Sequence, residues 1–314
     1  MNATTLPTVR PEDEQLGITK NFAYGLQHVL TMYGGIIAVP LIIGSAAGLK
    51  PAEIGTLIAA SLFMGGVATL VQTLGFKYVG AKLPIVQGVS FAGVATMLAI
   101  INTGGSLPMG FGAVMVASLL GLILSPFFSR LLRFFPPVVT GSVITMIGLS
   151  LIPVSIRWIM GGNPKAPTWG DPGNVGLALA TLFVILLLNM TRNPLVRRLA
   201  ILIAMIIGTL IAAMFGMVDF SKVGTGAFFA LPNIFQFGMP VFDMAAIISM
   251  SIVTLVIMTE TTADILAVGE IVGTPVDERR VGDGLRADML SSAIAPMFGS
   301  FMQTAFAQNV GLVA

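Results

Sequence analysis

The sequence predicts an all-α polytopic membrane protein, and three observations predict it. Hydrophobic residues make up 55% of its 314 positions and charged residues only 10%, with a mean hydropathy of +0.94. Soluble domains carry about 25% charged residues. Apolar runs near the length a helix needs to cross hydrocarbon recur along almost the whole chain. The basic residues are also dealt out loop by loop, dense in every second connection.

Taken in order, residues 1–19 (MNATTLPTVRPEDEQLGIT) are polar and acidic. They lack the apolar core of a signal peptide and read as a retained N-terminal tail. The first span covers about 21–47 and holds Gln27 and His28, the only histidine. The second covers 54–75. The third, 84–101, is interrupted by Gly and polar residues (Gln87-Gly88-Val89-Ser90-Phe91). Further spans are expected near 110–132, 138–160, 174–190, 199–217, 243–268 and 287–303, and a tenth begins near 304. The stretch 161–174 is dense in Pro and Gly and reads as a solvent-facing turn region. The aromatic stretch 219–240, broken by Pro232 and Pro240, is expected to lie along the interface or over the helix bundle.

This span list puts 12 of the 16 basic residues on the side of the N-terminus, among them Lys77, Lys82, Arg279, Arg280 and Arg286. The bias places that side in the cytoplasm. It also excludes a nucleic-acid binder, despite the pI near 9.1, because such a protein gathers its basic residues into a patch. Cys is absent, so no disulfide or thiolate metal site is available. Gly is abundant, which suits close helix packing in lipid.

The acids are concentrated. Seven of the 14 lie between 260 and 288, and none lies between 54 and 170. Glu260 and Asp264 fall inside an apolar run, four residues apart and so on one helix face. An Asp at mid-helix in a bilayer costs about 2.5–3.5 kcal/mol on insertion scales, so a proton, partner or substrate has to offset it. A buried carboxylate can accept hydrogen bonds from ring N–H groups of a purine or pyrimidine and can exchange a proton. There is also a weak internal echo: the broken third span and the Gln308-Asn309-Val310-Gly311 stretch of the tenth. Paired broken segments of opposite orientation mark a transporter site between inverted repeats.

QHVLTMYGG (27–35), QGVSF (87–91), ETTADI (260–265), RAD (286–288) and AQNVG (307–311) stand in order along the chain. Together they resemble the nucleobase–ascorbate transporters, also called the nucleobase–cation symporter-2 family, of xanthine/uracil permease type. The resemblance implies a 7+7 inverted-repeat fold with short strands in segments three and ten. A core domain would comprise segments one to four and eight to eleven, and a gate domain the rest. On that pattern 20–133 holds core segments one to four, 134–218 gate segments five to seven, and 219–240 an extracytoplasmic connection. Residues 241–314 would hold core segments eight and nine and the start of ten. The chain is then expected to be a partial sequence with about nine and a half segments.

The resemblance also assigns candidate residues. Glu260, Gln308, Phe91 and Ser90 would contact the base. His28, Asp264, Asp288, Asn309 and Gln87 would support the site or move a proton. Gln308 tilts the substrate toward an oxidised purine, xanthine or uric acid, since related uracil carriers have Glu there. His28 is implied to bond toward the eighth segment. From the residues alone the alternatives stay open: a packing role for His28 and Phe91, helix glue for Gln308, and a solvated position beside Arg286 for Asp288. The expected activity is proton-coupled nucleobase uptake by alternating access, with sodium as an alternative ion, a uracil:proton symporter as the alternative carrier, and an intramembrane acid/base enzyme as the alternative class. No nucleophile elbow, metal motif or phosphate loop supports an enzyme, no cofactor is expected, and one His without Cys makes a metal site unexpected. The expected partners are a nucleobase, the lipid bilayer of a bacterial inner membrane and a second copy in a homodimer.

Overall fold

The computed structural model describes residues 10–14, 16–131, 137–162, 166–218, 220–221 and 231–313. The expectations for residues 1–9 and for most of 219–230 lie outside these residues. The fold is mostly helical. Five described helices are long and apolar enough to cross a membrane, and Ala200–Met214 is a shorter apolar one.

Helix α1 (Ile18–Ala46) and α2 (Pro51–Thr73) form a hairpin. Pro51 opens α2 where a missing N–H costs nothing, and the Lys50 N–H donates to Glu53 Oε2 at 2.7 Å to close the first turn. The third apolar run is not one helix. Strand β1 (Gln87–Val89) enters it and the short helix α3 (Val94–Asn102) leaves it. Helix α4 (Leu107–Leu131) comes next. Helices α5 (Pro137–Ile159), α6 (Pro172–Asn189), α7 (Pro194–Arg198) and α8 (Ala200–Met214) form a second group, in which α6 packs on α8.

Helix α9 (Met244–Val272) is capped by Asp243, whose side chain accepts from the Ala246 N–H, and ends at Gly273 in the left-handed region (φ 77°). Helix α10 (Glu278–Ile294) is capped by Asp277 in the same way and passes into a single 3-10 turn, Ala295–Phe298. The helix thus begins nine residues before the expected ninth span, because the cap of Asp277 on Arg280 N–H extends it through a charged stretch that hydropathy alone rejects. Strand β2 (Gln303–Ala305) and the short helix α11 (Ala307–Val310) complete the described chain.

Strands β1 and β2 pair antiparallel, with Gln87 opposite Ala305, Gly88 opposite Thr304 and Val89 opposite Gln303. They sit at the centre of the core built from α1, α2, α4, α9 and α10, and α10 packs most extensively on α4. Elements assigned to one side by charge meet at one end of this core. Arg280 Nη2 meets Glu12 Oε1 at 2.8 Å, and its Nε donates to the Ala81 carbonyl at 2.7 Å. Arg286 donates to the Tyr78 carbonyl at 3.0 Å, and Gly80 N–H to the Asp283 carbonyl at 2.7 Å. At the opposite end, Phe235 N–H donates to the Met297 carbonyl and Val241 N–H to the Pro108 carbonyl, while Phe237 lies edge-on to Phe111. The described part of 219–240 therefore packs over the bundle end.

Candidate functional site

The acidic island resolves into two kinds of carboxylate. Asp277 caps α10, Asp283 pairs with Arg286, and Glu270 and Glu278 are exposed. Three acids remain inside. Glu260 is half-buried, Asp264 is 8% exposed and Asp288 is fully buried. The three are within electrostatic reach of one another. No ion pair to Lys or Arg is present at any of them among the described residues.

Their hydrogen bonding differs. Asp288 accepts from the Thr261 hydroxyl at Oδ2 and from Gln72 Nε2 at Oδ1, the latter at 3.2 Å. Thr261 lies 3.2 Å from the Thr304 hydroxyl and 3.4 Å from the Ala305 N–H, which ties α9 to β2. Asp264 Oδ2 is buried with no partner, and Glu260 makes no hydrogen bond among the described residues. Asp288 is thus held by neutral donors, and the position beside Arg286 open to it in the sequence is not a solvated one. Arg286 turns outward to Asp283 and the Tyr78 carbonyl.

The broken segments meet against this cluster. Gln87 in β1 is fully buried and faces Asp288, yet neither its Oε1 nor its Nε2 makes a hydrogen bond of ordinary geometry. Its backbone N–H is taken by Thr69 Oγ1 at 2.9 Å. Ser90 is 2% exposed; its N–H donates to the Met302 carbonyl and its hydroxyl accepts from the Ala92 N–H. Phe91 is half-buried and packs against the hydrophobic core. Asn309 in α11 is buried, whereas its neighbour Gln308 is exposed.

The described hydrogen bonds of His28 beyond its own helix run to the tenth segment. Asn309 Nδ2 lies 3.1 Å from His28 Nδ1 and donates to the His28 carbonyl at 2.9 Å. Helix α11 packs on α1 at this level, which brings Asn309 of the tenth segment to His28. Asn309 Oδ1 remains buried and unpartnered.

Sequence reasoning missed Gln72, Thr261, Thr304 and Gln303. Gln303 is fully buried, with Nε2 donating to the Phe301 carbonyl at 2.7 Å and its backbone N–H donating to Ser292 Oγ at 2.8 Å. A signal existed: Gln72 is an amide in an otherwise apolar span, and Gln303-Thr304 are polar residues in the run just before the AQNVG motif. Threonines hide better, because in a membrane helix they usually satisfy themselves on the i−4 carbonyl, as Thr254, Thr259 and Thr262 do here.

A family model described as Permease family matches residues 19–314. The chain belongs to the nucleobase–ascorbate transporter family. Among the relatives of this family member, the uric acid transporter UacT of Escherichia coli K12 is 40% identical over 310 residues, covering 97% of this chain and 64% of that protein. The xanthine permease of Bacillus subtilis 168 is 40% identical over 297 residues, covering 95% and 67%. The uric acid permease PucK of the same organism is 40% identical over 300 residues, covering 96% and 69%. The family member in hand therefore spans about two thirds of the length of these relatives. Its fold is shared with the transmembrane domain of a cyanobacterial bicarbonate transporter, BicA, at a TM-score of 0.64 and 14% identity, over 94% of this chain and 76% of that one.

Proposed function

We propose that this chain forms the substrate-binding part of a secondary transporter that takes up an oxidised purine, xanthine or uric acid, together with a proton. One observation carries the reading. Glu260 and Asp264 lie inside an apolar helix, beside the crossing of two broken segments, and neither carboxylate has a hydrogen-bond or ion-pair partner among the described residues. Such groups persist at bilayer depth where an occupant completes their bonding. A purine supplies ring N–H donors to a carboxylate, and a proton removes the charge. The names of the relatives, uric acid transporter and xanthine permease, point to the same substrates.

In this reading Glu260 accepts from the base, while Ser90, Phe91 and Gln308 line it. Asp264, Asp288, Gln87, His28 and Asn309 support the site or handle the proton. Strands β1 and β2 with helices α3 and α11 are counterparts in a 7+7 inverted repeat. An in-plane two-fold relation reverses chain direction, which accords with the antiparallel pairing at Gly88 and Thr304. The core-domain segments would rock against a gate domain, in a homodimer, in a bacterial plasma membrane with the N-terminus inside.

The test is uptake of labelled xanthine in cells expressing the protein, challenged with urate, hypoxanthine, uracil and ascorbate, with and without a protonophore. Xanthine and urate should compete and the protonophore should abolish accumulation. Glu260→Gln should remove coupled uptake while Glu270→Gln, exposed on the same helix, is mild. Normal accumulation by Glu260→Gln would overturn the reading, and preference for uracil would move it to the uracil:proton symporter.

A further inference from the structure

The amide of Gln72 has one orientation open to it. The Ala81 backbone N–H, 3.0 Å away, can only donate, so the atom facing it is Oε1. Nε2 is thereby turned toward the Gly284 carbonyl at 3.3 Å and Asp288 Oδ1 at 3.2 Å. Gln72 is fully buried, so no solvent exchange relaxes this arrangement. One oxygen of Asp288 always meets a donor, and a proton placed there would set O–H against N–H. The other oxygen, Oδ2, meets the Thr261 hydroxyl, which can donate or accept.

We propose that Gln72 is a positioning residue that directs the proton of Asp288 to Oδ2, and that Thr261 and Thr304 carry the resulting reversal of hydrogen-bond direction into β2. With Asp288 ionised, the Thr261 hydroxyl donates to Oδ2. Its two lone pairs then accept from the Thr304 hydroxyl and the Ala305 N–H. With Asp288 protonated, the new O–H donates to Thr261, and Thr261 turns its own hydrogen to Thr304 Oγ1. Thr304 loses its acceptor and must donate elsewhere. One proton is added at Oδ2 and no covalent bond breaks. Thr261 is fully bonded in both states, so the change is felt at the strand pair rather than absorbed on α9.

The charged groups acting on Asp288 are Glu260 and Asp264, both from α9. From β1 it meets the neutral Gln87. Helix α4, packed on α10, carries the buried hydroxyls Ser118 and Ser125, the latter donating to the Gly121 carbonyl, and no acid. None of these offers a cation that would hold Asp288 ionised. The inference deepens the proton-coupled reading above and rests on it for its consequence in transport, but not for the placement of the proton.

Infrared difference spectroscopy on the purified protein in lipid tests that placement. A carboxyl C=O band assigned to Asp288 by its loss in Asp288→Asn should move to higher frequency in Thr261→Val, where the acid O–H loses its acceptor. Thr261→Ser should restore it. In Gln72→Leu the proton is no longer confined to one oxygen, and the band should split. A band unmoved by Thr261→Val, or no Asp288 band at any pH the protein tolerates, overturns the proposal. Should Gln72→Leu fail to fold, the Thr261 pair still decides, since Thr261→Val keeps the side-chain volume and Thr261→Ser keeps the hydroxyl that Oδ2 and the Ala305 N–H meet. The uptake panel separates the two readings: a shifted band without nucleobase uptake sinks the transport reading alone, and coupled uptake with an unmoved band sinks this one alone.

Discussion

Gly88→Ala is the sharpest mechanical test of the strand crossing. A Cβ on Gly88 would lie 1.9 Å from Phe306 Cε2 and 2.7 Å from Cδ2. Ordinary carbon contacts are about 3.5–4.0 Å, so the ring must retreat by roughly 1.5–2 Å. It has nowhere to go. Phe306 is 4% exposed, its N–H donates to the Val86 carbonyl at 2.9 Å, and a Cβ built on Gly35 of α1 would already stand 2.8 Å from its Cε1. The ring is clamped between α1 and β1 at the point where β2 becomes α11. Overpacking a core costs about 1–3 kcal/mol, and with both faces closed the upper end applies. The expected result is a lowered apparent unfolding temperature in lipid or detergent, with weakened nucleobase binding because β1 moves. Shrinking the ring in Gly88→Ala/Phe306→Leu should recover part of the loss, with a coupling of about 1–2 kcal/mol between the two changes. A Gly88→Ala protein as stable as the parent, or strict additivity with Phe306→Leu, would refute the clamp.

The contacts at the cluster edges set two further outcomes. Glu12 is 2% exposed at its side chain and ties the N-terminal segment to Arg280 and Thr274, so Glu12→Gln should weaken that tie by about 1.5–3 kcal/mol, read as faster protease cleavage near residue 12. Burial pushes the Glu12 carboxyl up, but hydrogen bonds from the backbone, Arg280 and Thr274, with the charge of Arg280, outweigh it and hold the group below its ordinary value of 4.5. Its contribution is therefore complete above about that pH and is lost only as pH falls through the lower folded-state value; Glu12→Gln should abolish this acid-side step in a protease-protection profile. Asn309→Ala removes the partner of His28 Nδ1 and of the His28 carbonyl, and should cost about 1–3 kcal/mol and raise hydrogen exchange in the first half of α1.

The helices were legible because hydrocarbon imposes a length. Each expected span from 21–47 to 243–268 overlaps an observed helix or, at 84–101, the strand and short helix that replace one. Boundaries failed where a side-chain cap outweighed hydropathy, as at Asp277. The residue chemistry was half legible. A carboxylate in an apolar run announces itself, and the partial burial of Glu260 and the burial of Asp264 follow from that ground. The partners of Asp288 did not announce themselves. Gln72 comes from a helix 216 positions away, and Thr261 differs from the self-satisfied threonines around it only in which way its hydroxyl turns. No period or motif encodes that choice; it is set when α2, α9, α10 and β2 pack.

The exposure of the three acids gives the cluster a direction. Glu260 is half-buried, Asp264 is 8% exposed one turn further along α9, and Asp288 is sealed behind both on α10. Bonding separates them the same way: none at the side chains of Glu260 and Asp264 among the described residues, two neutral donors at Asp288. A purely structural trio would show the reverse, with the deepest charge paired to a cation and the shallow ones left to water. Here the cations Arg280 and Arg286 are spent on backbone carbonyls and acids at the bundle end, away from the cluster. Under the proposed function, the outer carboxylates are the ones left to grip an incoming group. The inner one, already bonded through Thr261 to β2, is the one whose protonation the strand pair can feel.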